Sequence, residues 1–473
     1  MKRRSKLKGG YSFKRLAGTP RLVLSNGVMP NMVIIPLQQG FGEEVKPIVK
    51  IGDKVRAGQI IGIDDPSMSS PVHATVSGIV KDVCIVKTYK GEVNGVIIEA
   101  DGNENDLVTI DTTIKDYRSV DPDNISKILY LSGFTSLGQF GFPTKYNTSS
   151  FNQDRIENLI VNAVYSEPYP LSNRILVDKV DDIIIGLDIL RRSLNYKADI
   201  HIAIDAQDKN IIKLLSENKW LNVVPLKAKY PQDHDFLLVQ AVLGRDIPYG
   251  GTVLDINTII LDVQAVIHAY KAVAEGKPII ERIISLGGTA LKDNLFLKVR
   301  VGTTLKDIIG PLLNSSDYRI IYGGLMRGKA CSDISIPIDR TTSSIAVINE
   351  NRERQFLFFL RPGINRGSYS NVFLSSVFPF VTTKVDTNLN GEYRPCIYCN
   401  YCESVCPARL MPYLLSKYFM HNMVDEASNF RPLACIECGL CTYVCPSKIP
   451  IMSHIKELKK KLLENSVYAT SRK

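Results

Sequence analysis

Cys396-Ile-Tyr-Cys399-Asn-Tyr-Cys402-Glu-Ser-Val-Cys406-Pro407 is repeated in its spacing by Cys435-Ile-Glu-Cys438-Gly-Leu-Cys441-Thr-Tyr-Val-Cys445-Pro446. In each run three closely spaced thiolates suit one face of an iron–sulfur cubane, and the fourth, just before a proline, suits a second cubane. The spacing therefore predicts two [4Fe–4S] clusters. Cys396, Cys399, Cys402 and Cys445 would hold the first; Cys406, Cys435, Cys438 and Cys441 would hold the second. Zinc is one alternative, but its sites commonly pair cysteines across a longer loop, which leaves the third cysteine and the proline unexplained. Disulfides are another, and they need an oxidising compartment for which the chain shows no export signal. Cys84 and Cys331 stand apart and are expected to be buried structural thiols.

Around these runs, helical patterns at Leu410–Met420 and Met452–Leu463 complete a ferredoxin-like helical module over residues 391–463, followed by a basic tail at 464–473. Residues 346–390 read as an irregular linker. Before it, 279–345 carries short strands and the glycine turns Gly287-Gly288 and Gly323-Gly324, read as a small β-grasp domain. Residues 118–278 alternate helix and strand. Ile183–Leu190 and Ile211–Leu215 have helical period, while His201–Ile204 and Val223–Pro225 are strands. This is an α/β layer with a parallel sheet, an architecture that presents nucleotides or flavins at strand ends. In residues 1–110, strands near Val33–Leu37, Gly52–Val55, Gly58–Ile61 and Pro71–Gly78 turn at glycines and suggest a β-sandwich barrel. The fold class is thus multidomain, α+β and α/β.

A chain of 473 residues needs three or four such domains, since one core rarely serves more than about 250 residues. No apolar run of about 18 residues is present to span a bilayer. The net charge of +10 is concentrated at the ends: residues 1–8 contribute +5 and residues 456–473 contribute +4. The body between them is near neutral, so no broad basic groove exists for nucleic acid, and no helicase or nuclease motif accompanies the cysteines. The tails read as solvated, or as attracted to anionic lipid or an acidic partner.

Residues 33–80 resemble the biotinyl/lipoyl hammerhead. The stretch where such carriers present a modified lysine, Asp64–Ser70, has none, so the barrel is expected to serve docking, with His73 a packed strand residue. Together with the paired cysteine runs, Lys229-Tyr230-Pro231-Gln232 and Cys445-Pro446-Ser447, it makes residues 9–460 resemble the RnfC family of the Rnf electron-transport complex. The resemblance implies an N-terminal barrel, a domain like the flavin-bearing subunit of respiratory complex I, a soluble-ligand-binding (SLBB) β-grasp domain and two [4Fe–4S] clusters. It also implies a peripheral protein at the cytoplasmic face of the cell membrane, in a complex that couples ferredoxin and NAD redox chemistry to ion transport. Implied partners are integral-membrane and peripheral subunits of that complex, and a soluble ferredoxin- or flavodoxin-like protein or NADH.

The family's FMN and NADH site rests on a glycine-rich loop, because backbone amides must approach phosphate closely. Here the loop reads Ser136-Leu137-Gly138-Gln139-Phe140-Gly141-Phe142-Pro143-Thr144, with Ser136 and Gln139 replacing glycines and the family lysine falling on Asn147. A second element reads Tyr165-Ser166-Glu167-Pro168-Tyr169 and keeps only its second acid; a third reads Tyr230-Pro231-Gln232-Asp233-His234-Asp235. The expectation is a domain that keeps its fold while its flavin/NADH site is weakened or lost. The alternative is an altered working site on Gly133, Gly138, Gly141, Lys145 and Glu167. The function implied is one-electron relay, against two rivals: a self-contained FMN/NADH dehydrogenase, and a non-catalytic iron–sulfur assembly or sensor protein.

Overall fold

The computed structural model describes residues 7–13, 16–39, 43–63, 69–103, 106–110, 116–134, 156–171, 179–350, 385 and 394–470. The first strand, β1 (Leu24–Asn26), leaves the barrel altogether and joins a sheet formed much later in the chain. The barrel proper is two small antiparallel sheets. One holds β2 (Met32–Pro36), β4 (Lys54–Val55), β7 (Gly78–Lys87) and β8 (Glu92–Ala100); the other holds β3 (Lys46–Pro47), β5 (Ile60–Ile63) and β6 (Val72–His73). Val33, Ile35, Val55, Ile61, Val72, Val80, Val96 and Ile98 fill the space between them. His73 is buried in β6 with Nε2 2.9 Å from the Leu131 carbonyl, a packed strand residue as expected.

The α/β domain has four parallel strands in the order β11 (Leu221–Leu226), β10 (Asp199–Asp205), β9 (Asn158–Ala163), β12 (Thr258–Asp262). These strands are apolar along their length because both faces are covered. On one face lie α1 (Pro122–Leu131), α2 (Val180–Ser193), α3 (Lys209–Ser216) and α5 (Val263–Glu275), which share a core with Leu159, Val161, Ile200 and Ile202. On the other lies α4 (Asp235–Leu243), whose Leu238 and Val239 meet Ile160, Ala203 and Ile260. Helix α2 packs so tightly on α5 that a Cβ at Gly186 would stand 2.2 Å from the Val266 carbonyl oxygen. Gly186→Ala is therefore expected to cost about 1–2 kcal/mol: overpacking costs about 1–3, more than the helix propensity alanine restores. Thermal melting of the intact chain checks this, and an unchanged or higher midpoint would refute the close approach.

A six-stranded mixed sheet follows, ordered β1, β14 (Leu295–Arg300), β13 (Glu281–Gly287), β17 (Ser344–Asn349), β15 (Tyr318–Tyr322), β16 (Lys329–Cys331). Short helix α6 (Leu305–Ile309) buries Leu305, Ile308 and Ile309 against it, giving the β-grasp arrangement. Cys331 lies half-buried on the edge strand β16, and Cys84 is half-buried on β7; neither is the buried thiol expected from sequence. An edge strand has one uncovered side, and β7 runs beyond the barrel core after a bulge between Val80 and Asp82.

The cysteine module is helical: α7 (Tyr401–Val405), α8 (Pro412–Met420), α9 (Val424–Ser428), α10 (Leu440–Tyr443) and α11 (Ile451–Thr470). The last helix continues to Thr470, so 464–470 is helix rather than a loose tail; no glycine or proline interrupts Ile451–Thr470. The N-terminal strip 9–13 is sewn into this module. The Gly10 amide donates to the Val405 carbonyl at 2.8 Å, and Tyr11 and Tyr230 exchange backbone bonds of 2.8 and 3.0 Å. A Cβ at Gly9 would meet the Cys406 carbonyl at 2.7 Å, and the Tyr11 and Phe13 rings pack on Tyr443. No helix among the described residues is long and apolar enough to cross a membrane.

Candidate metal centres and the adjoining pocket

The two cysteine runs fold alike because the same positions take left-handed backbone. Tyr398 and Glu437 have φ of 54° and 53°, Asn400 and Gly439 have 59° and 77°, and Arg409 and Lys448 have 54° and 57°. Such alternation turns successive amides into a concavity that favours negative charge. Backbone amides accordingly point at sulfur: those of Ala408, Arg409 and Leu410 at Cys406, Glu437 at Cys435, Leu440 at Cys438, and Thr442 at Cys441. Asn400 has become Gly439 in the second run because a Cβ there would lie 3.1 Å from the Met326 carbonyl.

Cys396, Cys399, Cys402 and Cys445 line one cavity, together with Tyr398, Tyr413, Lys417, Pro446 and Ser447. Cys445 thus crosses from the second run to the first. The reciprocal crossing is present too, since Cys406 lies within electrostatic reach of Cys435, Cys438 and Cys441. No three His, Cys, Asp or Glu side chains among the described residues converge on a single ion. A zinc site needs that convergence, whereas cubane ligands ring a cavity because each takes a different iron. Burial pushes the Cys402 and Cys435 thiols up to about 11 and Cys438 to about 12, so metal binding there must displace protons. The donor set and the amide concavity fit [4Fe–4S] clusters.

The two sets differ in setting. Ile397 and Tyr398, between the first ligands, are 66% and 56% exposed, and Met420 at the same cavity is 44% exposed. The corresponding Ile436 and Glu437 of the second run are half-buried. There Lys459 donates to the Cys435 carbonyl at 2.9 Å, and Tyr230 donates to the Cys438 carbonyl at 2.7 Å.

A pocket of about 400 Å³ opens at the carboxyl ends of β9 and β12, between the parallel sheet and the six-stranded sheet. Asn162, Tyr165, Glu167, Asp233, Asp235 and Asp262 line it from one side, and Tyr322, Gly323, Arg327 and Ser344 from the other. Of the residues singled out from sequence, Glu167 is in this wall. Gly133 is not: it ends α1 with φ 74°, and its carbonyl accepts from Arg340 at 2.5 Å. Gly138, Gly141 and Lys145 lie outside the described residues, as do Ser136, Gln139, Phe140 and Asn147.

Sequence reasoning missed Arg327, Arg282 and Asp262. Arg327 Nε donates to Glu167 at 3.0 Å while its Nη2 engages Asp233. Burial works against its charge, but Asp233 and Glu167 outweigh that and hold it above the usual arginine range. Arg282 is fully buried and bonds Asp262 at 2.8 Å. Burial raises the Asp235 carboxyl to about 7 and lowers His234 to about 3. Only the glycines that bracket the Arg327 loop, Gly324 and Gly328, marked it in the sequence. Four carboxylates therefore share the described wall, and the guanidiniums nearest them are already engaged. That wall by itself does not fit a flavin or dinucleotide phosphate, which needs bare amides or uncommitted cations. Buried Tyr165 keeps a hydroxyl with no hydrogen-bond partner against the pocket.

Three protein families match the chain in order: the RnfC barrel sandwich hybrid domain over residues 7–103, the Nuo51 FMN-binding domain over 130–271, and the 4Fe-4S dicluster domain over 395–449. The RnfC-type component of a Na(+)-translocating ferredoxin:NAD(+) oxidoreductase complex from Acetobacterium woodii is 29% identical over 95% of each chain. Its counterpart in a proton-translocating ferredoxin:NAD(+) oxidoreductase complex from Clostridium ljungdahlii is 28% identical over 84% of this chain and 81% of its own. Among solved structures, an NAD+-reducing [NiFe]-hydrogenase in the H2-reduced state overlays with TM-score 0.43 at 13% identity, over 73% of this chain and 61% of that one. In its N-terminal barrel, its flavoprotein-like α/β domain and its paired cysteine runs, the chain resembles the RnfC family of the Rnf ion-translocating electron-transport complex.

Proposed function

We propose that this chain is the electron-transfer subunit of an Rnf-type ion-translocating oxidoreductase, docked on membrane subunits at the cytoplasmic face. The observation that carries the reading is the reciprocal crossing of Cys445 and Cys406 between two runs with matching backbone. Bound to the eight cysteines, two [4Fe–4S] clusters supply one-electron chemistry. The chain's own residues give that pair a direction. Ile397, Tyr398 and Met420 bring the first set to the surface, open to a ferredoxin- or flavodoxin-like protein or to another component of the complex. Tyr230, Lys459 and the Arg327 loop enclose the second set on the pocket side.

A second reading has the pocket as an FMN/NADH port, favoured by the match to the FMN-binding domain and by the unpartnered Tyr165 hydroxyl. The test is anaerobic: load the full chain with iron and sulfide, add FMN, and follow visible absorbance and EPR. Dithionite is expected to bleach the cluster absorbance and NADH to leave it unchanged. Bleaching by NADH to the dithionite level makes the second reading correct, and no iron–sulfur absorbance at all ends the first.

A further inference from the structure

One loop touches both the acid-lined pocket and the cluster module. After β15 the chain turns through Gly323–Gly328, closed by a 2.9 Å bond from the Gly328 amide to the Gly324 carbonyl. Gly324, at φ 115°, lets the loop press on Glu167, which a Cβ would meet at 2.8 Å. The carboxylate is then gripped by the Met326 and Arg327 amides at 2.5 and 3.2 Å and by the Arg327 side chain. On its other side the Arg327 guanidinium lies 5.5 Å from the centre of the Tyr230 ring. The Tyr230 hydroxyl bonds the Cys438 carbonyl, and Met326 abuts Gly439. Arg327 is only 18% exposed, so water screens it weakly. The first cysteine set has no such neighbour of matching burial: Lys417, over the Tyr398 ring at 4.3 Å, stands at its open cavity.

We propose that Arg327 is a positioning residue whose charge, partly offset by Glu167 and Asp233, sets how an electron divides between the two clusters. The inference rests on the assignment of two clusters to the eight cysteines. A reduced cluster carries one more negative charge than an oxidised one, so a nearby cation favours reduction and a nearby carboxylate opposes it. Arg327 therefore draws the electron toward Cys406, Cys435, Cys438 and Cys441. Glu167 and Asp233 limit that pull, and because both line the pocket, the setting is exposed to whatever occupies it.

The test is an EPR-monitored potentiometric titration of the full chain, loaded anaerobically and carrying about eight irons, as parent, Arg327→Met and Asp233→Asn. Arg327→Met is expected to shift the partition about tenfold toward the first cluster, about 59 mV in the difference between midpoints. Asp233→Asn, which leaves Arg327 less neutralised, is expected to shift it the other way. Opposite signs separate an electrostatic role from simple loosening of the loop, which would move both variants alike. If Arg327→Met does not retain the second cluster, Asp233→Asn decides alone by its sign. Unchanged partition in Asp233→Asn, or shifts of the same sign in both variants, overturns the proposal. A parent chain that takes up no clusters defeats the cluster assignment instead, and is recognised by its iron count.

Discussion

Cys445→Ala is expected to lose the same cluster as Cys396→Ala, although the two residues belong to different runs. Each variant should bind about half the iron of the parent and give the same remaining EPR spectrum. Cys406→Ala and Cys435→Ala should form the complementary pair, lacking the other cluster. The reason is geometric, since Cys445 lines the cavity of Cys396, Cys399 and Cys402. A Cys445→Ala spectrum matching that of Cys435→Ala would mean that each run holds its own cluster and that the crossing is wrong.

The second large effect lies where the α/β domain meets the six-stranded sheet. Arg282 is fully buried, donates from Nε to the Thr342 carbonyl at 2.9 Å and pairs with Asp262, while its Nη1 has no hydrogen-bond partner. Asp262 also caps α5, accepting the Ala265 amide at 2.7 Å. Asp262→Ala strands a buried guanidinium and uncaps a helix, so it is expected to destabilise this junction by about 3–5 kcal/mol. Adding Arg282→Met should recover much of that loss, because a neutral side chain of similar length leaves no buried charge. Hydrogen exchange of the β12 and β13 amides reports the junction directly, without assuming that the whole chain unfolds in one step. A loss below about 1 kcal/mol in Asp262→Ala would show that water reaches Arg282.

What the sequence reveals here follows how locally each feature is encoded. The cysteine runs are legible because their ligand spacing is fixed by cubane geometry within twelve residues. The α/β layer is legible because Ile183–Leu190 and the apolar strands carry their own period. The long hairpin of β7 and β8 is harder to see, since the bulge after Val80 breaks the alternation and Lys81 and Asp82 interrupt the apolar pattern. Joining β1 to β14 leaves no trace in Leu24–Asn26 itself, because a three-residue strand is specified by its distant neighbour. Arg327 is invisible for the same reason. Its meaning comes from Glu167 and Asp233, both far away in sequence, and no motif surrounds it but two glycines. In the pocket, Glu167 was readable as a surviving motif acid, but its engagement by a loop from another domain was not.

The seam made by residues 9–13 bears on how such a protein comes into being. These residues leave the ribosome first, yet their partners Val405, Cys406 and Tyr443 are synthesised last. At ordinary translation speeds that interval is on the order of half a minute. The opening strip must stay unpaired while three domains fold between its two appointments. Once seated, it lies against the backbone of Cys406, so a nascent chain is best supplied with iron and sulfur before its own beginning locks the module shut.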